Sequence, residues 1–200
     1  MVKAVTTVGE ETVVSAVAAR PSYVSGTSDA PLLGDTIGDD FDRTVAEHGD
    51  REALVDRPSG RRWTYAQLRT DVDAVAHGLL AAGVGKGDRV GIWAPNCPEW
   101  LLTQYATAKI GAILVNINPA YRTSELEYVL NQAGIRMLVA ARSFKTSDYS
   151  AMIDEVRPRC DGLQRVVLIG SPEWEALFVP DGEPAVLADK QAGLSPDDPI

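Results

Sequence analysis

Residues 81–93 read AAGVGKGDRVGIW, the most glycine-dense stretch of the chain. Gly83, Gly85 and Gly87 surround Lys86, and an apolar run follows. A glycine-rich loop with a lysine can cradle phosphate, so what lies on either side decides its meaning. Upstream, Thr64 is a natural helix N-cap, Gln67 completes a capping box, and Trp63 and Leu68 are placed as a hydrophobic staple. Tyr65, Leu68, Val72, Val75, Leu79 and Ala82 then recur at intervals of three and four, the stripe of one helix face. Gly83 stands where the left-handed residue after a helix belongs. The glycines therefore close a helix and lead into the strand RVGIW. A phosphate loop has the reverse order, with amide groups at a helix N-terminus aimed at the anion. Here the helix offers carbonyls and a partial negative charge. The spacing fails as well: Gly87 follows Lys86 where Ser or Thr is needed, and Leu80 holds the place of the first glycine. The dinucleotide pattern breaks at Asp88 or Val90, depending on register. These glycines are turn chemistry.

Beyond Gly87 the pattern repeats. RVGIW predicts a strand, and APNCPEWLLTQYATAKIGA a helix entered through Asn96 and Pro98. ILVNI predicts the next strand, and TSELEYVLNQAG a helix with Ser124 and Glu127 as its capping box, Leu126, Val129, Leu130 and Ala133 as its stripe, and Gly134 as its stop. RMLVAA, TSDYSAMIDEVRP and RVVLIG continue the alternation as strand, helix and strand. Short, wholly apolar strands between helices mean parallel strands covered on both faces, with right-handed crossovers. The fold class is α/β, a doubly wound, mainly parallel sheet with helices on both faces.

Upstream of Thr64, EALVD and RRWTY flank a Pro-Ser-Gly turn and predict a β-hairpin. FDRTVAEHG predicts a helix with Phe41, Val45 and Ala46 on one stripe and Gly49 as its stop. Residues 1–40 are rich in Ser, Thr, Gly, Ala and Asp and read as an extended or flexible segment, with room for a short helix over 10–20.

A hydrophobic fraction of 45% and a charged fraction of 24% belong to the ordinary globular class. The net charge of -9 argues against non-specific binding to nucleic acid or anionic membrane, both polyanions. No apolar run approaches the roughly 20 residues of a membrane span, and Glu10 and Glu11 interrupt any secretory leader. Cys97 and Cys160 have no second Cys or His at ligand spacing and read as buried thiols of a cytoplasmic protein rather than a disulfide.

In an open parallel sheet, ligands bind beyond the carboxyl ends of the strands. That rule selects residues 94–97, 116–123 and 141–145. The first two loops carry Asn96, Asn116 and Asn118; the second adds Pro119, Tyr121 and Arg122, and the third adds Arg142 and Lys145. Asparagines there serve helix caps and turns, or they border a cleft, and one loop can do both. Arg142 and Lys145 are either solvated or the rim of a site for an anion. Elsewhere reactive chemistry is missing. His48 and His77, the only histidines, read as structural or exposed. No nucleophile elbow or paired metal-ligand motif is present. Asp39-Asp40 and Asp197-Asp198 read as solvated loop pairs, and the four tryptophans as core or edge residues. Residue chemistry alone assigns no reaction to this chain.

The run DREALVDRPSGRRWTYAQL, followed by GVGKGDRVGIWAPNCPEWLLTQYATAKIGAILVNINPAYRTSELEYVLNQAGIRMLVA, resembles the N-terminal part of the acyl-CoA synthetases. These belong to the AMP-forming adenylate ligases. The likeness covers residues 35–170 or so without a large gap; PLLGDTIGD and the Asn118-Pro119 turn look most like the medium- and long-chain fatty-acid branch. The resemblance implies a two-step reaction. A carboxylate attacks the α-phosphate of ATP, with Mg²⁺ neutralising charge, to give an acyl-adenylate and pyrophosphate. The thiol of coenzyme A then takes the acyl group, and AMP leaves.

Family members are much longer than this chain. Their phosphate loop, metal ligand, nucleotide contacts and catalytic lysine come later, and LSPDDPI at residues 194–200 resembles the lead-in to that loop. Residues 41–200 are thus expected to be the N-terminal α/β subdomain of such a ligase, inactive in isolation and prone to self-association through the surface the missing segments would cover. The carry-over is limited to a coenzyme A rim: the turn Asn118-Pro119, and Arg142 and Lys145 after the next strand. Two readings remain beside it, a non-catalytic α/β binding module and a ligase for aryl or other carboxylic acids.

Overall fold

The computed structural model describes residues 33–200. The expected short helix over 10–20 lies outside them. The first helix, α1 (Ile37–His48), starts earlier than Phe41, because Thr36 caps it: its hydroxyl accepts the Asp39 amide at 3.1 Å. Asp39 and Asp40 are therefore not a solvated loop pair. They sit in the first helical turn, where the backbone dipole favours negative charge.

The hairpin is present as β1 (Glu52–Val55) and β2 (Arg62–Thr64), paired antiparallel. Thr64 then caps α2 (Tyr65–Ala81) with the expected reciprocal box: the Gln67 amide donates to the Thr64 hydroxyl, and the Thr64 amide to the Gln67 carbonyl. At its far end Gly83 has φ +84°, its amide reaches the Leu80 carbonyl, and the Val84 amide reaches that of Leu79. This is a Schellman closure.

The glycine-rich stretch is a turn, as its neighbours require. The Asp88 carboxylate accepts the Gly85 amide at 2.9 Å and pairs with Arg136 at 2.8 Å, while the Lys86 ammonium meets Asp198 at 2.6 Å. Asp198 is thus an ion-pair partner rather than a solvated residue, held below its ordinary carboxylate range first by that lysine.

Four strands form one parallel sheet: β3 (Arg89–Trp93), β4 (Ile113–Asn116), β5 (Met137–Ala140) and β8 (Arg165–Leu168), in the spatial order β4-β3-β5-β8. Between them run α3 (Pro98–Ile110), α4 (Thr123–Gln132) and α5 (Tyr149–Val156). The chain steps from β3 to β4 in one direction and from β4 to β5 and β8 in the other. Right-handed crossovers then place α3 on one face and α4 and α5 on the opposite face. The two cores agree. Val90, Ile92, Met137 and Val139 pack with Leu102, Ala106 and Ile110 of α3, whereas Trp93, Leu138 and Ala140 pack with Leu126 and Leu130 of α4 and Ile153 of α5.

Three local expectations change. α3 is capped at Cys97 with Pro98 at its first position, so Asn96 is not its cap. α4 starts two residues before the expected frame: the Arg122 amide donates to Glu125 at 3.0 Å, in place of a box from Ser124 to Glu127. The segment after β5 is not loop running into helix. Residues Ser143–Phe144 (β6) and Ser147–Asp148 (β7) form a small antiparallel ribbon, and α5 begins only at Tyr149, capped by Asp148. Two short helices, α6 (Pro172–Glu175) and α7 (Pro184–Ala192), complete the described chain.

One buried charge stands out. Lys109 on α3 is 2% exposed, and its ammonium lies 2.7 Å from Asp42 of α1 and 2.6 Å from Asp73 of α2. Both carboxylates keep contact with solvent, which lowers the desolvation cost of the cluster.

Candidate functional site

β3 and β5 are neighbours whose onward connections leave to opposite sides. Their carboxyl ends, Trp93 and Ala140, therefore mark the sheet's topological switch point, where ligands of this architecture bind. The loops after β3, β4 and β5 converge there.

Trp93, the last residue of β3, is fully buried, and its ring stacks on that of Tyr149 at the start of α5, with 3.5 Å between centroids and 6° between planes. Each ring spends its one polar hydrogen on the loop after β4. The Trp93 indole donates to the Asn118 carbonyl at 3.1 Å, and the Tyr149 hydroxyl donates to the next carbonyl, that of Pro119. The Asn118 side chain accepts the Ala120 amide at 2.9 Å, so the turn reading of this asparagine holds. Asn96 and Asn116 are exposed.

Arg142 and Lys145 come together. They border an open groove of about 410 Å³ on the ribbon, whose remaining lining is Ser143, Thr146, Ser147, Ser150 and the carboxylate of Asp148, which caps α5. Arg122, from the loop after β4, reaches the same place and donates to the Ser147 hydroxyl at 2.6 Å. Among the described residues, Arg122, Arg142 and Lys145 make no ion pair with a carboxylate. Three cations and several hydroxyls around one groove are suited to phosphate oxygens, which accept from both kinds of donor.

Lys145 has φ +54°, the only non-glycine residue in the left-handed region among those described. It occupies the first position of a two-residue hairpin turn, where positive φ matches the twist of the strands and glycine or asparagine is preferred. Holding a lysine there costs about 1 kcal/mol. Asn118 and Pro119 do not line the groove. Tyr149 connects them to it: its amide donates to the Arg142 carbonyl at 3.0 Å while its hydroxyl holds Pro119.

The sequence reading missed Tyr149 and the groove hydroxyls as parts of one site. A hydrogen-bonding aromatic at the carboxyl end of a strand, Trp93, was the available signal. Among the described residues no three His, Cys, Asp or Glu side chains come together to hold a metal ion.

The family model described as AMP-binding enzyme matches residues 41–200. This chain belongs to that family. Among curated relatives, it is 45% identical over 143 residues to the mouse medium-chain acyl-CoA ligase ACSF2, a mitochondrial protein, covering 72% of this chain and 23% of the relative. A Bacillus subtilis acyl-CoA synthetase, YngI, is 40% identical over 129 residues, 64% of this chain and 24% of that protein. The chain thus spans about a quarter of the length of these relatives. The fold agrees with that of a long-chain-fatty-acid-CoA ligase, FadD1, from Archaeoglobus fulgidus, at a TM-score of 0.64 and 24% identity over 90% of this chain and 34% of that one. The anthranilate CoA ligase AuaEII gives 0.66 at 25% identity over 76% of this chain and 29% of that one.

Proposed function

We propose that this chain is the N-terminal part of an AMP-forming acyl-CoA synthetase acting on a fatty acid with ATP and coenzyme A, and that Arg142 and Lys145 guide the phosphates of the coenzyme. The observation that carries the coenzyme reading is that Arg142 and Lys145, with no ion-pair partner among the described residues, border one groove beside the sheet's switch point with four hydroxyls and the single carboxylate of Asp148. Arg142, Lys145 and the hydroxyls of Thr146 and Ser147 are the groups that fit phosphate oxygens; the Asn118-Pro119 turn, outside the groove and tied to it through Tyr149, is proposed as the neighbouring rim. ATP supplies the leaving group that turns a carboxylate into an acyl donor. Mg²⁺ belongs to the ATP step of this reading, but no cluster among the described residues suits it, so no residue here is assigned to it. The cytoplasm remains the proposed compartment; the two free cysteines fit any reducing compartment.

In the complete ligase, replacing Arg142 and Lys145 together by Ala raises KM for coenzyme A by about tenfold, the scale of two partly screened charge contacts. Acid-dependent pyrophosphate exchange, which precedes the coenzyme, reports the first step separately. An unchanged KM for coenzyme A removes these residues from its path.

A further inference from the structure

We propose that Tyr149 is a positioning residue that locks the Asn118-Pro119 turn and the Arg142–Lys145 groove into one body, so that both sides of the coenzyme's approach keep a fixed relation. The proposal rests on the reading of the groove given above. The contacts form a closed circuit. The Trp93 carbonyl accepts the Ala141 amide at 3.0 Å, which fixes the loop after β5 to the end of β3. The Arg142 carbonyl accepts the amides of Tyr149 at 3.0 Å and Ser150 at 3.3 Å, which fixes that loop to α5. The Tyr149 hydroxyl then takes the Pro119 carbonyl, and the Trp93 indole takes the Asn118 carbonyl, closing the circuit on β3. Arg122 adds a bond from the end of the same loop to Ser147 on the ribbon.

Packing alone does not call for this arrangement. Stacking would be served as well by a phenylalanine at 149, whereas here both rings' polar hydrogens are spent on consecutive carbonyls of one partly exposed turn. A buried hydroxyl must find a partner; the partner here is the turn proposed above as the rim, and the same tyrosine's amide holds Arg142. A shift of the turn therefore breaks its bond to Tyr149 or moves that residue, whose amide is bonded to the backbone of Arg142.

The test is Tyr149→Phe in the complete ligase, which keeps the stacked ring and removes only the hydroxyl. KM for coenzyme A rises about three- to tenfold, the scale of one lost hydrogen bond, while KM for ATP does not. Trp93→Phe removes the other donor but also leaves a cavity in the core, so it counts only where KM for ATP stays unchanged, and it then gives the same direction. The Arg142→Ala/Lys145→Ala variant is the reference. If that pair raises KM for coenzyme A and neither aromatic variant does, the rings are only core packing and the inference is overturned. If none of the three raises it, the groove reading itself falls, and the inference with it.

Discussion

Trp93 and Tyr149 lie ring on ring, 3.5 Å apart at their centroids, and hold adjacent carbonyls of one turn. Burial pushes the Tyr149 phenol up to about 12. Burial therefore keeps the hydroxyl in its neutral, donating form above the ordinary tyrosine range. In a spectrophotometric titration Tyr149 is expected to ionise above the ordinary tyrosine range. A folded-state pKa raised in this way favours the neutral form, so its stabilisation is present below the ordinary tyrosine value and is lost as the pH rises toward the folded one. Ionisation of Tyr149 near pH 10 without loss of structure contradicts the burial.

Gly78 lies inside α2, where alanine is the better helix former by about 1 kcal/mol. A Cβ at this position would meet the Leu177 carbonyl oxygen at 1.9 Å. Backbone is not a yielding neighbour, so the clash wins, and Gly78→Ala is expected to destabilise by about 3 kcal/mol in urea unfolding. A stabilised variant removes the close crossing of that segment over α2.

Cys97 caps α3, a place where the helix dipole favours thiolate. Burial outweighs it and pushes the thiol up to about 11. At pH 8 only about one molecule in a thousand carries the thiolate. Iodoacetamide should leave Cys97 largely unmodified in the folded chain over times that alkylate it fully in urea. Equal rates in both states contradict the environment described.

Lys145→Gly tests the cost of the ribbon turn. Glycine accepts φ +54° freely, so stability is expected to rise by up to about 1 kcal/mol, offset in part by glycine's greater chain entropy. In the complete ligase the same change raises KM for coenzyme A. A less stable variant shows that the left-handed lysine carries no strain.

The elements legible in the sequence were those set by local chemistry. Gly83 and Gly134 announced their helix stops because both take positive φ next to an apolar stripe, and the box from Thr64 to Gln67 spans a single turn. What failed was also local but ambiguous: Ser124 with Glu127 and Arg122 with Glu125 compete as frames for one helix start, and the observed frame uses a backbone amide that any residue supplies. The ribbon over 143–148 escaped because its turn carries lysine where glycine is the usual signal. Lys109 between Asp42 and Asp73, and Trp93 against Tyr149, depend on which helices and strands become neighbours. The strand-end rule pointed to the loops after β3, β4 and β5 and to Arg142 with Lys145, which the fold brings to one groove, but not to the sheet order that brings Tyr149 between them and Pro119.

The most direct test of the account is ATP–pyrophosphate exchange by the complete ligase across a panel of fatty, aryl and short carboxylic acids, followed by addition of coenzyme A. The account predicts exchange that depends on a medium- or long-chain fatty acid and thioester formation once the coenzyme is present. Exchange with none of the acids, or with aryl acids alone, contradicts it.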